Sequence, residues 1–186
     1  MQIITERLLI RPIVEADWPA VGAIWAALAP LPMAQYDKPH PTDPDTIRAR
    51  VARWADFTAR GTEHMFFAVC LQPRSEEVPA ENQTKSVIGY FAFNLRERGH
   101  EIGYSFHPLS HGKGYAKEAL AALLEHLRSL SITRFSAGTA LNNAPSVKLL
   151  TGLGFRLAGT EKVSFYQDEQ GRDIVFDGGI YELELQ

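Results

Sequence analysis

Three features are scarce in this 186-residue chain, and each scarcity narrows the classes of protein to which it can belong. Cysteine occurs once, at Cys70, which excludes an internal disulfide and a metal site built from several cysteines. Cys70 lies in the apolar run 65–71, and this predicts a buried thiol rather than a nucleophile. No apolar run approaches the ~20 residues that cross a bilayer. The net charge of −3 shows no basic excess that would favour nucleic acid.

These absences leave an ordinary globular composition, with 45% apolar and 22% charged residues. The first ten residues carry Glu6 and Arg7 inside a strand-like apolar pattern, which is unlike a signal peptide. We therefore expect a cytoplasmic protein with no membrane partner, no nucleic-acid partner and no metal. The length predicts a single domain over residues 1–186 with a proper apolar core.

The spacing of apolar residues predicts seven strands and four helices. The strands are expected at 6–14, 65–71, 86–95, 101–107, 134–140, 155–163 and 174–185, and the helices at 17–28, 43–61, 112–129 and 143–150. Asp17 and Asn143 are typical N-cap residues for the first and last helices. This order combines a half built from hairpins with a β-α-β unit, which predicts a mixed sheet in an α+β or α/β domain.

The most informative segment is a glycine-containing turn between the strand at 101–107 and the long third helix. Gly112 and Gly114 stand two residues apart in it. Glycines allow backbone N–H groups to approach a ligand closely, and the following helix directs the positive end of its dipole to the same place. The turn therefore predicts a site for a pyrophosphate group.

Two common phosphate motifs fit this turn poorly. A nucleotide P-loop would need a glycine where the chain has His107 and a Ser or Thr where it has Gly114. A dinucleotide fingerprint would need Gly or Ala where it has Lys117. A turn that binds no ligand remains the alternative at this point.

A family resemblance becomes visible when this turn is taken together with three other stretches. They are TERLLIRP at 5–12, EIGY at 101–104 followed by HP at 107–108, GKGYAKEAL at 112–120, and Asn143 and Ser146 followed by KLL at 148–150 and LGF at 153–155. In this order they resemble the GNAT N-acetyltransferases, and in particular the branch of the ribosomal-protein alanine N-acetyltransferases. Together they span nearly the whole chain.

The resemblance implies a GNAT-like fold that binds acetyl-CoA as cosubstrate. It implies a central, mostly antiparallel sheet of about seven strands, flanked by about four helices, with a V-shaped split between strands 4 and 5. The implied cofactor-binding residues are the backbone of Ser105, Phe106 and His107 for the pantetheine arm, the loop of His111, Gly112, Lys113, Gly114, Tyr115 and Ala116 for the pyrophosphate, and Asn143 near the sulfur. The family usually has Arg or Gln where this chain has His111, so only the glycine-dependent backbone contacts carry over directly.

Two residues are candidates for the chemistry. Strand alternation places Glu101 on one face with Gly103, Ser105 and His107, and we expect Glu101 to act as the base, directly or through water. Many family members have a tyrosine acid where this chain has Leu150, and the resemblance offers Ser146 as the substitute that protonates the leaving thiolate. A strand-edge carboxylate and a serine that bonds its own helix remain the alternatives for these two residues. Tyr104 is expected to be a packing residue.

The predicted function is N-acetyl transfer from acetyl-CoA to a primary amine by direct attack in a ternary complex. The acceptor is a protein N-terminus or a small-molecule amine, and the irregular segments 29–44 and 72–85 are expected to shape its entrance. A non-catalytic acyl-CoA-binding module of the same fold is the alternative. The final strand, 174–185, is a candidate sheet edge for a homodimer.

Overall fold

This computed structural model describes residues 1–61, 63–72 and 87–186. All eight strands of these residues belong to one sheet. In chain order the strands are β1 (Ile3–Ile4), β2 (Leu8–Pro12), β3 (His64–Leu71), β4 (Val87–Arg96), β5 (Gly99–Phe106), β6 (Arg134–Ala140), β7 (Arg156–Gln167) and β8 (Asp173–Glu184). Their order in the sheet is β1-β2-β3-β4-β5-β6-β8-β7. The pairing is antiparallel except between β5 and β6. The predicted mixed sheet is confirmed, with the two-residue β1 added to the seven predicted strands.

The helices are α1 (Trp18–Leu28), α2 (Pro44–Ala59), α3 (Tyr115–Ser129) and α4 (Ala144–Thr151). Asp43 caps α2 by accepting a hydrogen bond from the Thr46 N–H at 2.8 Å, and Pro44 follows at the first helical position, where no N–H is needed. Helix α3 begins at Tyr115 rather than Gly112, because Gly112 and Gly114 both have positive φ angles. None of the helices in the described ranges is long and apolar enough to cross a membrane.

Side chains of the sheet alternate between two apolar clusters. Phe91 and Phe93 of β4 belong to the cluster that packs against α3, whereas Tyr90 and Ala92 belong to the cluster beneath α1 and α2. Cys70 lies in the second cluster with 1% of its surface exposed, which confirms the predicted buried thiol. The sheet is therefore covered on both faces, and a ligand reaches its centre only where two strands separate.

Asp17 immediately precedes α1, as predicted, but its side chain does not cap the helix. The fully buried carboxylate instead accepts two hydrogen bonds from Arg11, both at 2.7 Å, and a third from the Val14 N–H at 2.9 Å. Because a buried charge needs a partner, the ion pair takes the oxygens that a cap would use. It joins the end of β2 to the start of α1.

The prediction that the last strand forms a sheet edge is wrong. Strand β8 pairs with β6 over residues 178–184 and with β7 over residues 173–182, so residues 178–182 have a strand on each side. The β7–β8 hairpin folds back so that β8 enters the sheet and β7 forms its border. Pairing of a second chain with the backbone of residues 178–182 is thereby excluded, and a homodimer through any other surface stays a prediction. The predicted loop 72–85 lies outside the described residues apart from Gln72.

Candidate active site

The centre of the site is a gap between the parallel strands β5 and β6. Only two pairs of residues connect these strands, His100 with Phe135 and Glu101 with Ser136. Beyond this point β5 pairs only with β4, and β6 pairs only with β8. The predicted split is therefore confirmed, and it lies between the fifth and sixth strands once the short β1 is counted.

The hydrogen bonds of β5 show which of its backbone N–H and C=O groups face this gap. The His107 N–H donates to the Ile88 carbonyl at 2.8 Å, and the His107 carbonyl accepts from the Ser110 N–H at 2.8 Å. Because hydrogen-bonding directions alternate along an antiparallel strand, Ser105 and His107 turn their backbone groups to β4, and Tyr104 and Phe106 turn theirs to the gap. Of the three residues predicted to bind pantetheine through their backbone, only Phe106 faces the gap.

The glycine turn lies at the open end of the gap. The His111 Nε2 lies 2.9 Å from the Phe106 carbonyl oxygen and donates to it, which ties the turn to the last residue of β5. The φ angles of Gly112 and Gly114 are +72° and +79°, a conformation that favours glycine. A Cβ atom at Gly112 would meet nothing within 4 Å, so the outer surface of the turn is open to a ligand.

The first turn of α3 supplies N–H donors beside these glycines. Gly114 is the N-cap residue, and the first intrahelical bond runs from the Glu118 N–H to the Gly114 carbonyl at 3.0 Å. The N–H groups of Tyr115, Ala116 and Lys117 therefore have no carbonyl one turn earlier to bind. Turn and helix together form the kind of concave, donor-rich surface that binds phosphate groups.

An ion-pair network that no local sequence pattern predicted lies behind the turn. Arg7 and Thr5, which precede β2, both contact the carboxylate of Glu118 in the first turn of α3. The distances are 2.7 Å from Arg7 Nε, 2.5 Å from Thr5 Oγ and 3.0 Å from the Arg7 N–H. Burial opposes ionisation of Glu118, but the hydrogen bonds from Thr5 and Arg7 outweigh it and lower its pKa below the ordinary value.

Ser146 lies on the helix side of the gap, in the first turn of α4. Its N–H donates to the Asn143 Oδ1 at 3.4 Å, so Asn143 caps the helix as predicted. The Ser146 Oγ lies 2.5 Å from the Tyr104 hydroxyl. Burial raises the pKa of Tyr104 even though the hydrogen bond with Ser146 opposes the rise. Tyr104 was predicted to pack, but it is also the polar partner of the candidate acid.

Glu101 is not brought together with this pair. It lies at the closed end of the gap, opposite Ser136, and strand alternation places its side chain on the other face of β5 from Tyr104. Its carboxylate accepts from Arg96 Nε at 2.8 Å and is 45% exposed. Arg96 contacts only the Oε2 oxygen of Glu101, so a role as base falls to Oε1, and opening this exposed ion pair would cost about 1 kcal/mol or less.

A buried polar chain lies on the Glu101 face of β5. The Trp25 Nε1 donates to the Tyr90 hydroxyl at 2.8 Å, and Ser105 hydrogen-bonds to the same hydroxyl. Burial raises the pKa of Tyr90, and the bonds from Ser105 and Trp25 oppose the rise without cancelling it. Tyr90 is thus a neutral hydrogen-bonding group at neutral pH, and it is unsuited to be the base.

Segment 29–44 extends from this polar chain to the neighbourhood of Asn143. The His40 ring stacks on Trp25 with 4.5 Å between ring centroids. The Tyr36 hydroxyl accepts from the Asn142 side chain at 3.0 Å, and the Tyr36 ring contacts Phe176 of β8. The segment therefore lies across the face of the sheet to which Glu101 points. The prediction that this segment shapes the acceptor entrance is untested. In the part of the chain that the structure describes, no group of three His, Cys, Asp or Glu side chains could hold a metal ion.

Comparison with known proteins agrees with this geometry. The family described as Acetyltransferase (GNAT) domain matches residues 7–156, and the chain belongs to this family. It is 29% identical over 175 residues to the uncharacterized N-acetyltransferase p20 of Bacillus licheniformis, with 91% of this chain and 89% of that protein covered. The protein is therefore an acetyltransferase.

Solved structures share the fold across the full length. RimL, a ribosomal L7/L12 α-N-protein acetyltransferase solved in complex with coenzyme A, superposes with a TM-score of 0.80 at 20% identity, covering 100% of this chain and 98% of that one. The ribosomal-protein-S5-alanine acetyltransferase from Vibrio fischeri gives 0.75 at 17% identity, covering 99% and 96%. At such identities the likeness concerns the fold alone.

Proposed function

We propose that this acetyltransferase, acting as one domain over residues 1–186, transfers the acetyl group of acetyl-CoA to a primary amine by direct attack in a ternary complex. The observation that carries the proposal is the position of the glycine turn. The His111–Phe106 hydrogen bond fixes the turn at the open end of the β5–β6 gap. A diphosphate on the turn and a thioester in the gap would then belong to one extended ligand.

The residues present fit such a ligand. The open space above Gly112 and the N–H groups of Tyr115 and Ala116 would hold the diphosphate. The gap-facing backbone groups of Tyr104 and the gap-facing N–H of Phe106, whose carbonyl accepts from His111, would pair with the amides of the pantetheine arm. Acetyl-CoA, when bound, supplies the activated acetyl group.

Ser146 and Tyr104 would supply the proton that the leaving sulfur accepts. The Ser146 hydroxyl would donate its proton to the sulfur, and the Tyr104 hydroxyl, which burial keeps protonated, would replace it through their shared hydrogen bond. The attacking amine would release one proton, and one proton from solvent would restore the Tyr104 hydroxyl, so the number of protons is unchanged. Asn143 holds Ser146 in place by capping α4.

Glu101 would receive the proton of the amine, directly or through one water, on the carboxylate oxygen that Arg96 does not contact. An α-amine has a pKa of ~7.7–8 and a Lys amine ~10.4, so roughly one α-amine in ten is neutral at pH 7 but only about one Lys amine in a thousand. Because Glu101 is held in an ion pair, the arrangement favours an acceptor that needs little help to lose its proton. A protein N-terminal α-amine, or a small-molecule amine of similarly low pKa, fits this requirement.

The second candidate, a non-catalytic acyl-CoA-binding module, is favoured by one observation. Leu150, at the position of the family's tyrosine acid, is fully buried in the apolar core and has no chemistry to offer. The two candidates separate when acetyl-CoA binding is measured by calorimetry and CoA release is measured with peptides bearing a free α-amine. Matched peptides with a blocked N-terminus and one Lys serve as controls.

Binding with release of CoA on the α-amine peptides supports the proposed enzyme. Binding without release on any amine supports the module. Absence of acetyl-CoA binding by the folded protein contradicts both.

A further inference from the structure

We propose that Arg7 is a positioning residue for the diphosphate site, holding the Lys113–Gly114 peptide so that the Gly114 N–H faces the ligand. In this role Arg7 does not contact the ligand. It contacts the side of the turn that lies away from the ligand. The inference rests on the proposed function, because it takes the diphosphate of acetyl-CoA as the ligand of the glycine turn.

The guanidinium of Arg7 is fixed in one orientation by contacts in different directions. Its Nε and Nη2 atoms bind the Glu118 carboxylate at 2.7 and 2.6 Å, and its Nη1 donates to the Lys113 carbonyl at 3.0 Å. Its Cζ atom also lies 4.7 Å from the centre of the Tyr115 ring. The planar guanidinium holds its five N–H donors at fixed angles, so its contact with the carboxylate also fixes the direction of its contact with the carbonyl, which the compact ammonium of Lys does not do.

The Lys113 carbonyl matters because a trans peptide is planar. Its C=O and N–H bonds point in opposite directions, so a Lys113 carbonyl held inward by Arg7 turns the Gly114 N–H outward. Gly114 is one of the two residues that bound this peptide, and a glycine allows the peptide before it to rotate at little cost. Without an anchor the carbonyl could turn outward, where its partial negative charge would repel a phosphate.

Arg7 also compensates the charge of Glu118. That carboxylate lies in the first turn of α3, close to the place proposed for the diphosphate. Its charge is balanced by the Arg7 guanidinium, while Thr5 donates a further hydrogen bond. Removing the guanidinium would leave an unpaired negative charge beside a negatively charged ligand, so the loss of Arg7 should weaken binding for two reasons.

The test is calorimetric titration of CoA into wild type and the variants Arg7→Met, Arg7→Lys and Arg128→Met. The last is a matched control, because Arg128 forms an ion pair with Glu125 at 2.7 Å at the other end of the same helix. We expect Arg7→Met to raise the Kd for CoA by about tenfold to a hundredfold, the effect of losing one charge-assisted hydrogen bond between the Gly114 N–H and the diphosphate. Arg7→Lys should fall between wild type and Arg7→Met, and Arg128→Met should stay within about twofold of wild type.

A second variant and a spectroscopic readout separate positioning from general stability. Glu118→Gln keeps the Arg7–Lys113 contact and removes a negative charge, so its CoA affinity should equal or exceed that of wild type. In amide NMR spectra, CoA should shift the Gly114 N–H resonance strongly in wild type and Glu118→Gln, and weakly in Arg7→Met. A thermal unfolding scan shows which variants are folded.

Wild-type affinity in a folded Arg7→Met variant overturns the inference, as does a Glu118→Gln variant that binds as weakly as Arg7→Met. If Arg7→Met does not fold, unchanged CoA affinity in Arg7→Lys overturns it. Failure of the proposed function has a different signature. In that case the folded wild type itself does not bind CoA, and the inference falls with it.

Discussion

Replacing Gly112 by Ala tests the glycine turn with a single carbon atom. The φ angle of Gly112 is +72°, and its added Cβ would meet no atom within 4 Å. The methyl group would therefore clash with nothing in the protein and would project into the space proposed for the diphosphate. Gly171, in the turn between β7 and β8, offers a matched control, since its φ is +76° and its Cβ would also meet nothing within 4 Å.

Both substitutions place an L-residue in the left-handed region, at a cost of about 1–2 kcal/mol in the free energy of unfolding. We expect similar decreases in Tm for the two variants, roughly 2–8 °C for a chain of this size. Only Gly112→Ala should weaken acetyl-CoA binding, by about tenfold or more, because the methyl group keeps a phosphate from the N–H groups of the turn.

Thermal unfolding and calorimetric titration with acetyl-CoA measure the two effects separately. Wild-type acetyl-CoA affinity in Gly112→Ala would refute the assignment of the diphosphate to this turn. Equal loss in both would show that the affinity follows stability rather than the local geometry.

Three further predictions concern proton transfer and pH. Ser146→Ala should lower kcat by about a hundredfold or more with little change in the Kd for acetyl-CoA, and Tyr104→Phe should lower kcat less. Assays of CoA release measure both rates, and unchanged rates would exclude the proton relay. Glu101→Gln should slow acetylation of a Lys amine more than that of an α-amine in paired peptide assays at pH 7, and an equal loss would contradict its role as base. The pKa of Glu118 is lowered from its ordinary value of 4.5, so this group stabilises the fold above pH 4.5 and loses that contribution as the pH falls below it. Glu118→Gln should therefore flatten the acid limb of a curve of stability against pH, and an unchanged limb would refute this.

The sequence predicted the elements whose signal is local. Helix α3 shows its apolar stripe at regular spacing, and the glycines before it mark a break that no other residue type marks as clearly. The mostly antiparallel sheet and its split followed from the family resemblance rather than from periodicity. The position of β8 was missed because hydrophobic alternation shows that a segment is a strand but does not show which strands flank it.

Contacts between distant parts of the chain were the least predictable. Arg7 and Glu118 each fit an ordinary local role, one before a strand and one in the first turn of a helix. Their pairing depends on β2 lying beside α3, which no local pattern reports. Tyr104 was assigned to packing for the same reason, since only the folded structure places α4 over β5 and brings Ser146 to its hydroxyl.

The two candidate catalytic residues lie on opposite faces of β5, and this constrains the mechanism. Ser146 approaches through Tyr104 from the face covered by α3 and α4, whereas Glu101 points to the face covered by α1, α2 and segment 29–44. A proton cannot pass directly between them across the strand. The proposed direct attack therefore requires two separate proton paths, one for the amine and one for the sulfur, with the proposed thioester site in the gap between them. It follows that substitutions on the Glu101 face should change which amine is accepted, and substitutions on the Ser146 face should change how well the sulfur leaves.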